Sequence, residues 1–456
     1  MSSDTVLTAA EMRSAEAAAV AAGTPVETLM ERAGLAAAEA IRRFAGPLPA
    51  LVLCGPGNNG GDGYVVARAL AARGVTVRIA ASGEPGSAAA RVASELWRGP
   101  VEPLAEARPA PLLIDALFGT GLARPLGDGL ASGLRALAAR ASVRVAIDLP
   151  SGVATDDGAI LSAVPDYDLT VAFQTLKPSH LLQPAARHMG RIVVADIGIE
   201  ASSRLHRIAR PRLRPPGADD HKYSRGYVAI LAGEMPGAAA LAAAAALRAG
   251  AGYVRLFASE IVPAVPAAVV QDPAAPFRAD PRIGALALGP GLGTGERGRA
   301  TLRSALASGL PLVLDADALN LLPGLAGADL EGAILTPHAG EFARLFGAGA
   351  GSKVEQARAA ARGLGAVVVA KGADTVVAAP DGRAAIAAPA SPFLASAGTG
   401  DVLTGIVAAM RASGLAPFEA ACAGVWLHGR AAALCGPALI ADDLVAQLPA
   451  AVAGCL

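Results

Sequence analysis

Three glycine-rich, oxygen-bearing segments punctuate the first half of the chain: Gly55-Pro-Gly-Asn-Asn-Gly-Gly-Asp-Gly63, Asp115-Ala-Leu-Phe-Gly-Thr-Gly-Leu-Ala-Arg-Pro125 and Asp148-Leu-Pro-Ser-Gly152. Glycines let backbone N–H groups approach an anion closely, and a helix beginning near Gly63 would add the positive end of its dipole. The guest that suits these features is a phosphate. The spacing is neither G-x-G-x-x-G nor a run ending in Gly-Lys-Ser/Thr, so neither ordinary nucleotide fingerprint applies. Asn59, Asp115 and Ser151 offer oxygens without histidine or cysteine. That set suits a hard cation rather than zinc, or mutual hydrogen bonding in a polar cleft. Asp148 ends an apolar run, where a carboxylate either does acid–base work or caps the next turn. Lys177, in Gln174-Thr-Leu-Lys-Pro178, follows the next apolar run and reads equally as a site lysine or a solvated one.

The second half has its own set: Gly289-Pro-Gly-Leu-Gly-Thr-Gly295, Thr336-Pro-His-Ala-Gly-Glu341, Lys371-Gly-Ala-Asp-Thr375 and Ser396-Ala-Gly-Thr-Gly-Asp-Val402. Gly398, Thr399 and Gly400 can turn successive N–H groups toward an anion at a helix start. Asp401 then stands in the first helical turn, placed to take a hydroxyl proton during phosphoryl transfer. Its bland alternative is a carboxylate favoured there by the helix dipole, worth ~0.3–1 kcal/mol. His338 is a turn residue, a helix-entry partner or a site residue. Asp315 and Asp317 either serve a magnesium ion or start the next helix, and the sequence leaves them open.

The elements that must carry these clusters follow from the apolar runs. Helical patterns near 9–22 and 27–43 precede alternating strands (51–54, 75–80, 111–115, 143–147, 168–172, 191–195) and helices (64–73, 87–98, 129–140). Near-continuous apolar strands alternating with helices predict a parallel sheet covered on both faces. The rhythm breaks at Arg207–Asp220, rich in proline and arginine, which reads as a linker. A second series follows, with strands near 227–231, 253–257, 285–288, 312–314, 333–335 and 366–370 and helices near 238–249, 297–308, 353–363, 401–412 and 417–433. In such sheets ligands bind beyond the carboxyl ends of the strands, so each domain's polar clusters should converge at one edge.

Composition narrows the function. Of 456 residues, 53% are apolar, 17% charged and 4% aromatic, with zero formal net charge. This argues against disorder, nucleic-acid binding and a base-stacking platform. No uninterrupted apolar run is long enough to span a membrane, and the start lacks a signal-peptide pattern. Four scattered cysteines suit neither a metal site nor a disulfide framework. A soluble, cytoplasmic protein with no nucleic-acid or membrane partner is expected.

Taken in order, the three clusters of residues 1–206 resemble the NAD(P)HX epimerase domain, which interconverts the epimers of hydrated NADH and NADPH. Over 221–456, the Gly-Thr-Gly-Asp helix start is similar to the ribokinase-like family. Together with His221-Lys222, Gly289-Pro-Gly-Leu-Gly293, Thr336–Glu341 and Lys371-Gly372, it looks more narrowly like the ADP-dependent NAD(P)HX dehydratase. The resemblance implies an α/β protein of two domains, a Rossmann-like three-layer α/β/α domain followed by a ribokinase-like α/β/α domain, with 207–220 between them. It implies that Asn58, Asn59, Gly60, Gly61 and Asp62 bind substrate phosphates. Gly119, Thr120, Gly121, Leu122, Ala123, Arg124 and Pro125 would form a second wall. Asn59, Asp115 and Ser151 would hold K+, with Asp148 facing the substrate as acid/base and Lys177 next in line. In the second domain Lys371, Gly372, Ala373, Asp374, Thr375 and Gly400 would contact the AMP part of ADP. Ala238, Gly291, His338 and Asp401 would border the substrate. The implied partners are small molecules, NADHX, NADPHX and ADP with Mg2+, and the expected assembly is a homo-oligomer. The rival readings are a ribokinase-like vitamin-precursor or sugar kinase with an accessory nucleotide-binding domain, and a non-catalytic nucleotide-binding regulator.

Overall fold

A computed structural model describes residues 4–263, 265–273, 276–325, 327–347 and 349–456. The chain divides into two compact units, Met1–His206 and Arg207–Leu456.

The first unit opens with α1 (Ala9–Ala21), whose start is fixed by a reciprocal cap between Thr8 and Glu11, and α2 (Val26–Ala45). Then come β1 (Ala50–Cys54), α3 (Asn58–Ala71), β2 (Val77–Ala81), α4 (Ala88–Glu95), β3 (Val101–Pro103), β4 (Leu112–Ala116), α5 (Asp128–Ala138), β5 (Val143–Ile147), β6 (Leu169–Phe173) and β7 (Arg191–Ala195). The strands form a seven-stranded sheet in the order β3-β2-β1-β4-β5-β6-β7. Every pairing in it is parallel. β1 and β4 are wholly buried, as apolar runs covered on both faces must be. One face packs under α2, α3 and α4 through Ile41, Val66 and Ala90. The other packs under α5 through Leu134 and Leu137.

α3 starts at Asn58, not near Gly63, so the glycine run is the first turn of the helix rather than a loop before it. None of its glycines needs a positive φ. They are there for space: a Cβ on Gly60 would lie 1.8 Å from the Gly55 carbonyl oxygen, and one on Gly63 would lie 2.7 Å from the Ala116 Cβ. Absent side chains let the helix N-terminus press onto the ends of β1 and β4.

A short strand β8 (Leu205–Arg207) spans the boundary. The proline-rich stretch after it is tied to the second unit: the amides of Ile208 and Leu213 donate to the carbonyls of Ile386 and Cys455.

The second unit contains β9 (Tyr227–Leu231), α6 (Pro236–Arg248), β10 (Tyr253–Phe257), β11 (Val270–Gln271), β12 (Ala285–Leu288), α7 (Glu296–Leu306), β13 (Leu312–Leu314), α8 (Ala316–Leu321), β14 (Ile334–Leu335), α9 (Ala339–Phe346), α10 (Lys353–Leu364), β15 (Val367–Ala370), β16 (Val376–Ala378), β17 (Ala384–Ile386), α11 (Thr399–Ala412), α12 (Pro417–Cys435) and α13 (Ala441–Ala453). The ten-stranded sheet runs β11-β10-β9-β12-β13-β14-β15-β16-β17-β8. The β15–β16 and β16–β17 pairings are antiparallel. The alanine-rich α6 packs tightly on α11, where a Cβ on Gly405 would come within 2.1 Å of the Ala242 carbonyl oxygen. Alanine and glycine therefore buy close helix approach rather than large buried area. Each unit is a three-layer α/β/α sandwich, as expected from the alternating runs. Among the described residues, no helix is long and apolar enough to cross a membrane.

Candidate functional site

In the first unit the polar residues gather beyond the carboxyl ends of β1, β4, β5 and β6. Asp148 follows β5 directly and holds a left-handed backbone, φ 62°, which is rare for a residue with a side chain. Gln174 does the same after β6, φ 61°, pinned by hydrogen bonds between its amide group and Ile197 and Ile199. The Asp148 carboxylate is clamped from two sides. Lys177 donates to Oδ1 at 2.6 Å, and the Thr120 amide donates to Oδ2 at 2.9 Å, with the Thr120 hydroxyl on the same oxygen. Lys177 is 1% exposed and also donates to the Phe173 carbonyl. Burial would raise the Asp148 carboxyl, but the Lys177 ammonium and the Thr120 hydroxyl outweigh it, and the group lies below the usual carboxylate range.

His180 holds this pair from behind. The Lys177 amide donates to its Nδ1, so Nε2 carries the proton and donates to the Asp148 carbonyl at 2.8 Å. Burial and the nearby ammonium push its pKa down to about 4, so the ring is neutral.

Asp115 and Ser151 form a second, closed network. Asp115 Oδ1 accepts from the Ser151 hydroxyl and the Leu117 amide, and Oδ2 accepts from the Ser151 amide and the Tyr167 hydroxyl. Every donor is neutral, and burial pushes the carboxyl up against these bonds. Asn59 approaches the same 117–120 loop at Gly119. A Cβ on Gly119 would meet both Asp148 Oδ2 and Asn59 Oδ1, and Asn59 Nδ2 is buried with no hydrogen-bond partner. So the three expected potassium ligands border one loop, Asp115 and Ser151 bonded together and Asn59 beside Asp148.

The expected phosphate wall divides. Gly60 and Gly61 are buried in the first turn of α3, and Asn58 accepts from the Ser87 hydroxyl. Gly121, Ala123, Arg124 and Pro125 are exposed, whereas Leu122 is half-buried. Asp62 is 9% exposed, and burial, Asp148 and Glu16 push its carboxyl well up. Tyr167, His180 and Glu16 were absent from the sequence reading. Only His180 had a local cue, three residues after Lys177.

In the second unit the helix start of α11 is the centre. Gly398, its N-cap, has φ 83°, which glycine adopts without strain. Asp315, 1% exposed at the end of β13, accepts from Lys371 at 2.7 Å and from the Thr404 hydroxyl at 2.8 Å. A Cβ on Gly400 would lie 3.5 Å from Lys371 Nζ, so Lys371 reaches the cradle. Asp401 stays half-buried beside this pair. Burial and Asp315 raise it to about 7, and Lys371 offsets only part of that. His428 donates from Nε2 to the Thr399 carbonyl, and burial pushes its pKa down to about 4. Asp317 accepts from the Gly293 amide.

The remaining expected residues lie around this centre to different degrees. The Lys371 amide donates to the Pro337 carbonyl, which brings the 336–338 turn alongside. His338 itself is exposed and caps α9 with Glu341. Gly291, φ 61°, pairs with Met235 just before α6, and the Ala238 amide donates to the Met235 carbonyl. Asp374 pairs with Lys353, and the Thr375 hydroxyl bonds within its own turn at Gly372. Ala373 is exposed.

Comparison with known proteins matches both units. Residues 228–446 match the family described as NAD(P)H-hydrate dehydratase, and residues 26–179 match the YjeF-related protein N-terminus. The bifunctional NAD(P)H-hydrate repair enzyme Nnr of Pyrobaculum aerophilum is 34% identical, covering 97% of both chains. Its namesake in Mycobacterium tuberculosis is 36% identical over 90% of this chain and 89% of that one. The solved ADP/ATP-dependent NAD(P)H-hydrate dehydratase of Bacillus subtilis, co-crystallised with ATP/Mg2+, is 32% identical, covering 54% of this chain and 95% of that one at a TM-score of 0.47. With similarity running nearly end to end through both units, the chain belongs to the bifunctional NAD(P)H-hydrate repair enzymes.

Proposed function

We propose that the first unit interconverts the R and S epimers of NADHX and NADPHX, and that the second dehydrates the S epimer with ADP, releasing AMP and phosphate. The observation that carries the reading is a pair of carboxylates tuned in opposite directions, Asp148 held low beside Lys177 and Asp401 raised to about 7 beside Asp315.

Epimerisation needs modest chemistry. The hydroxyl is on a carbon beside the ring nitrogen, whose lone pair can help expel it. The departing oxygen takes a proton and leaves as water, and water then adds to the opposite face and loses a proton. Asp148, ionised, accepts that proton, and the Lys177 ammonium is the matching donor. The amides at the start of α3 and the 119–125 wall would hold the diphosphate, with Arg124 contributing charge. Potassium fits the Asp115 network, because a buried carboxylate surrounded only by neutral donors lacks a countercharge; Asn59 would reach the ion with its Oδ1 rather than its amide nitrogen. When bound, the ion would supply fixed positive charge, held by Asn59, Asp115 and Ser151.

Dehydration needs a better leaving group than hydroxide. Asp401 takes the substrate's hydroxyl proton, the hydroxyl oxygen attacks the β-phosphorus of ADP, and AMP departs. Loss of phosphate from the ring carbon, with loss of a ring proton, restores the reduced nicotinamide. A base with pKa near the working pH suits the first step. Gly398, Thr399 and Gly400 would cradle the transferring phosphoryl, Lys371 to Thr375 the nucleotide, and Ala238, Gly291 and His338 the substrate's edge. Magnesium accompanies ADP, and the assembly is proposed to be a homo-oligomer. One experiment tests the whole: chromatography of mixed NADHX epimers incubated with ADP and Mg2+. Both epimers should be consumed, with AMP equal to NADH formed. A stable phosphorylated product with no NADH would favour the kinase reading instead.

A further inference from the structure

The first sheet has a topological switch between β1 and β4, where the strand order turns back on itself. A dinucleotide at such a point extends to both sides, with one half over each set of strands. The reacting half belongs beyond β5 and β6, with Asp148 and Lys177. Lys177, Ser179 and His180 pack that side, with 1%, 0% and 0% exposure.

The other side is open. The crossover from β3 to β4 contains only the short turn Leu104–Glu106, where a full helix would normally cover the sheet. The uncovered face leaves a groove of about 1140 Å³ between that turn and α5. Its upper end is walled by Pro56, from the turn before α3, by Ser82, which follows β2, and by Phe118, from the loop between Asp115 and Thr120. Leu104 and Leu130 line its sides, and Arg140 is the one charged residue among those lining it. Phe118 and Leu130 are partly buried members of the cluster beneath α5, so the groove is an apolar shelf on the core.

We infer that this groove is the subsite for the adenosine half of the dinucleotide substrate. The inference rests on the epimerase reading of the first unit. Its walls suit a flat, uncharged heterocycle and reject the diphosphate. Pro56 and Phe118 belong to the same two loops that face the diphosphate and the reacting ring, so groove and site are continuous. A remote half that binds equally in the ground and transition states contributes uniform binding, whose loss raises KM and leaves kcat unchanged.

Two tryptophan variants test this in the full-length chain. Ser82 is exposed, and a side chain at Gly129 meets nothing within 4 Å, so Ser82→Trp and Gly129→Trp fill the groove from opposite walls without disturbing the core. Epimerisation is measured with hydrated NADH and with hydrated nicotinamide mononucleotide, which lacks the adenosine half. KM for the dinucleotide should rise about tenfold or more in both variants with kcat retained, while KM for the mononucleotide stays unchanged. An unchanged dinucleotide KM, or a parallel rise for both substrates, overturns the inference. Absence of epimerisation by the wild-type chain in the same assay would instead refute the epimerase reading.

Discussion

Replacing Asp401 by asparagine separates two readings of that residue by sign. A carboxylate that merely favours a helix start is stabilising, and neutralising it should cost ~0.3–1 kcal/mol. A strained base is destabilising in the empty protein. Moving a carboxyl from 3.8 to about 7 corresponds to ~4 kcal/mol for a group wholly shielded from water. Asp401 is half-buried, and solvent screening brings this to ~2 kcal/mol. Because the folded value is raised, wild-type stability is complete below pH 3.8 and is lost as the pH climbs to about 7. The asparagine variant should escape that loss. Its advantage should be absent near pH 4, grow toward pH 7 and level off above, reaching ~4–8 °C in Tm for a unit of this size. The chain has two tryptophans, Trp97 in the first unit and Trp426 in the second, so in a Trp97→Phe background the fluorescence reports the second unit alone. The same variant should release AMP ~10²–10⁴ times more slowly. A lower Tm at pH 8, or AMP release at the wild-type rate, would refute the assignment of Asp401 as the base.

Asp148→Asn should slow epimerisation by ~10²–10⁴ and leave dehydration of S-NADHX intact, as read by chromatography of each epimer. Exchanging potassium for a bulky organic cation should slow epimerisation and spare AMP release; equal rates in both salts would remove the ion from the Asp115 network. Gly60→Ala forces a Cβ to 1.8 Å from the Gly55 oxygen and should unfold the first unit, whereas Gly57→Ala meets nothing within 4 Å and should be silent by circular dichroism. Expressing residues 1–206 and 207–456 separately should give two soluble fragments, each with one activity, because the 208–213 segment bonds into the second unit. Insoluble fragments that cannot be recombined would show that the units depend on each other.

Much of the fold could be read from hydrophobic runs, because strands buried on both faces, such as β1 and β9, have little other way to be written. The hairpin of β16 and β17 was missed although Pro380-Asp-Gly-Arg383 announces its turn; its strands are too short to show a period. α13 was missed because Pro449 interrupts its pattern, yet packing of Leu444 and Leu448 carries the helix through. At the sites, Asp148, Lys177 and Asp401 were visible as polar residues ending apolar runs or opening a helix. Their partners were not. Lys371 meets Asp315 across 56 residues, and Tyr167 meets Asp115 across 52, distances that only the sheet order closes. The glycine run was read for conformational freedom, whereas its residues serve close approach, which no local spacing reveals.

The left-handed backbone at Asp148 has a consequence for how this chain can drift under mutation. A non-glycine residue held there costs ~1–3 kcal/mol, and glycine would relieve it. Yet glycine alone would strand the Lys177 ammonium, 1% exposed, without its counterion, which costs ~3–5 kcal/mol. Removing Lys177 alone strands the carboxylate in the same way. The two positions are locked together by a fitness valley on either side, and the first step away from the pair is always the worse one. Descendant sequences that have abandoned the chemistry should therefore have changed 148 and 177 together, which makes the two positions read jointly a marker for silent members among homologous chains.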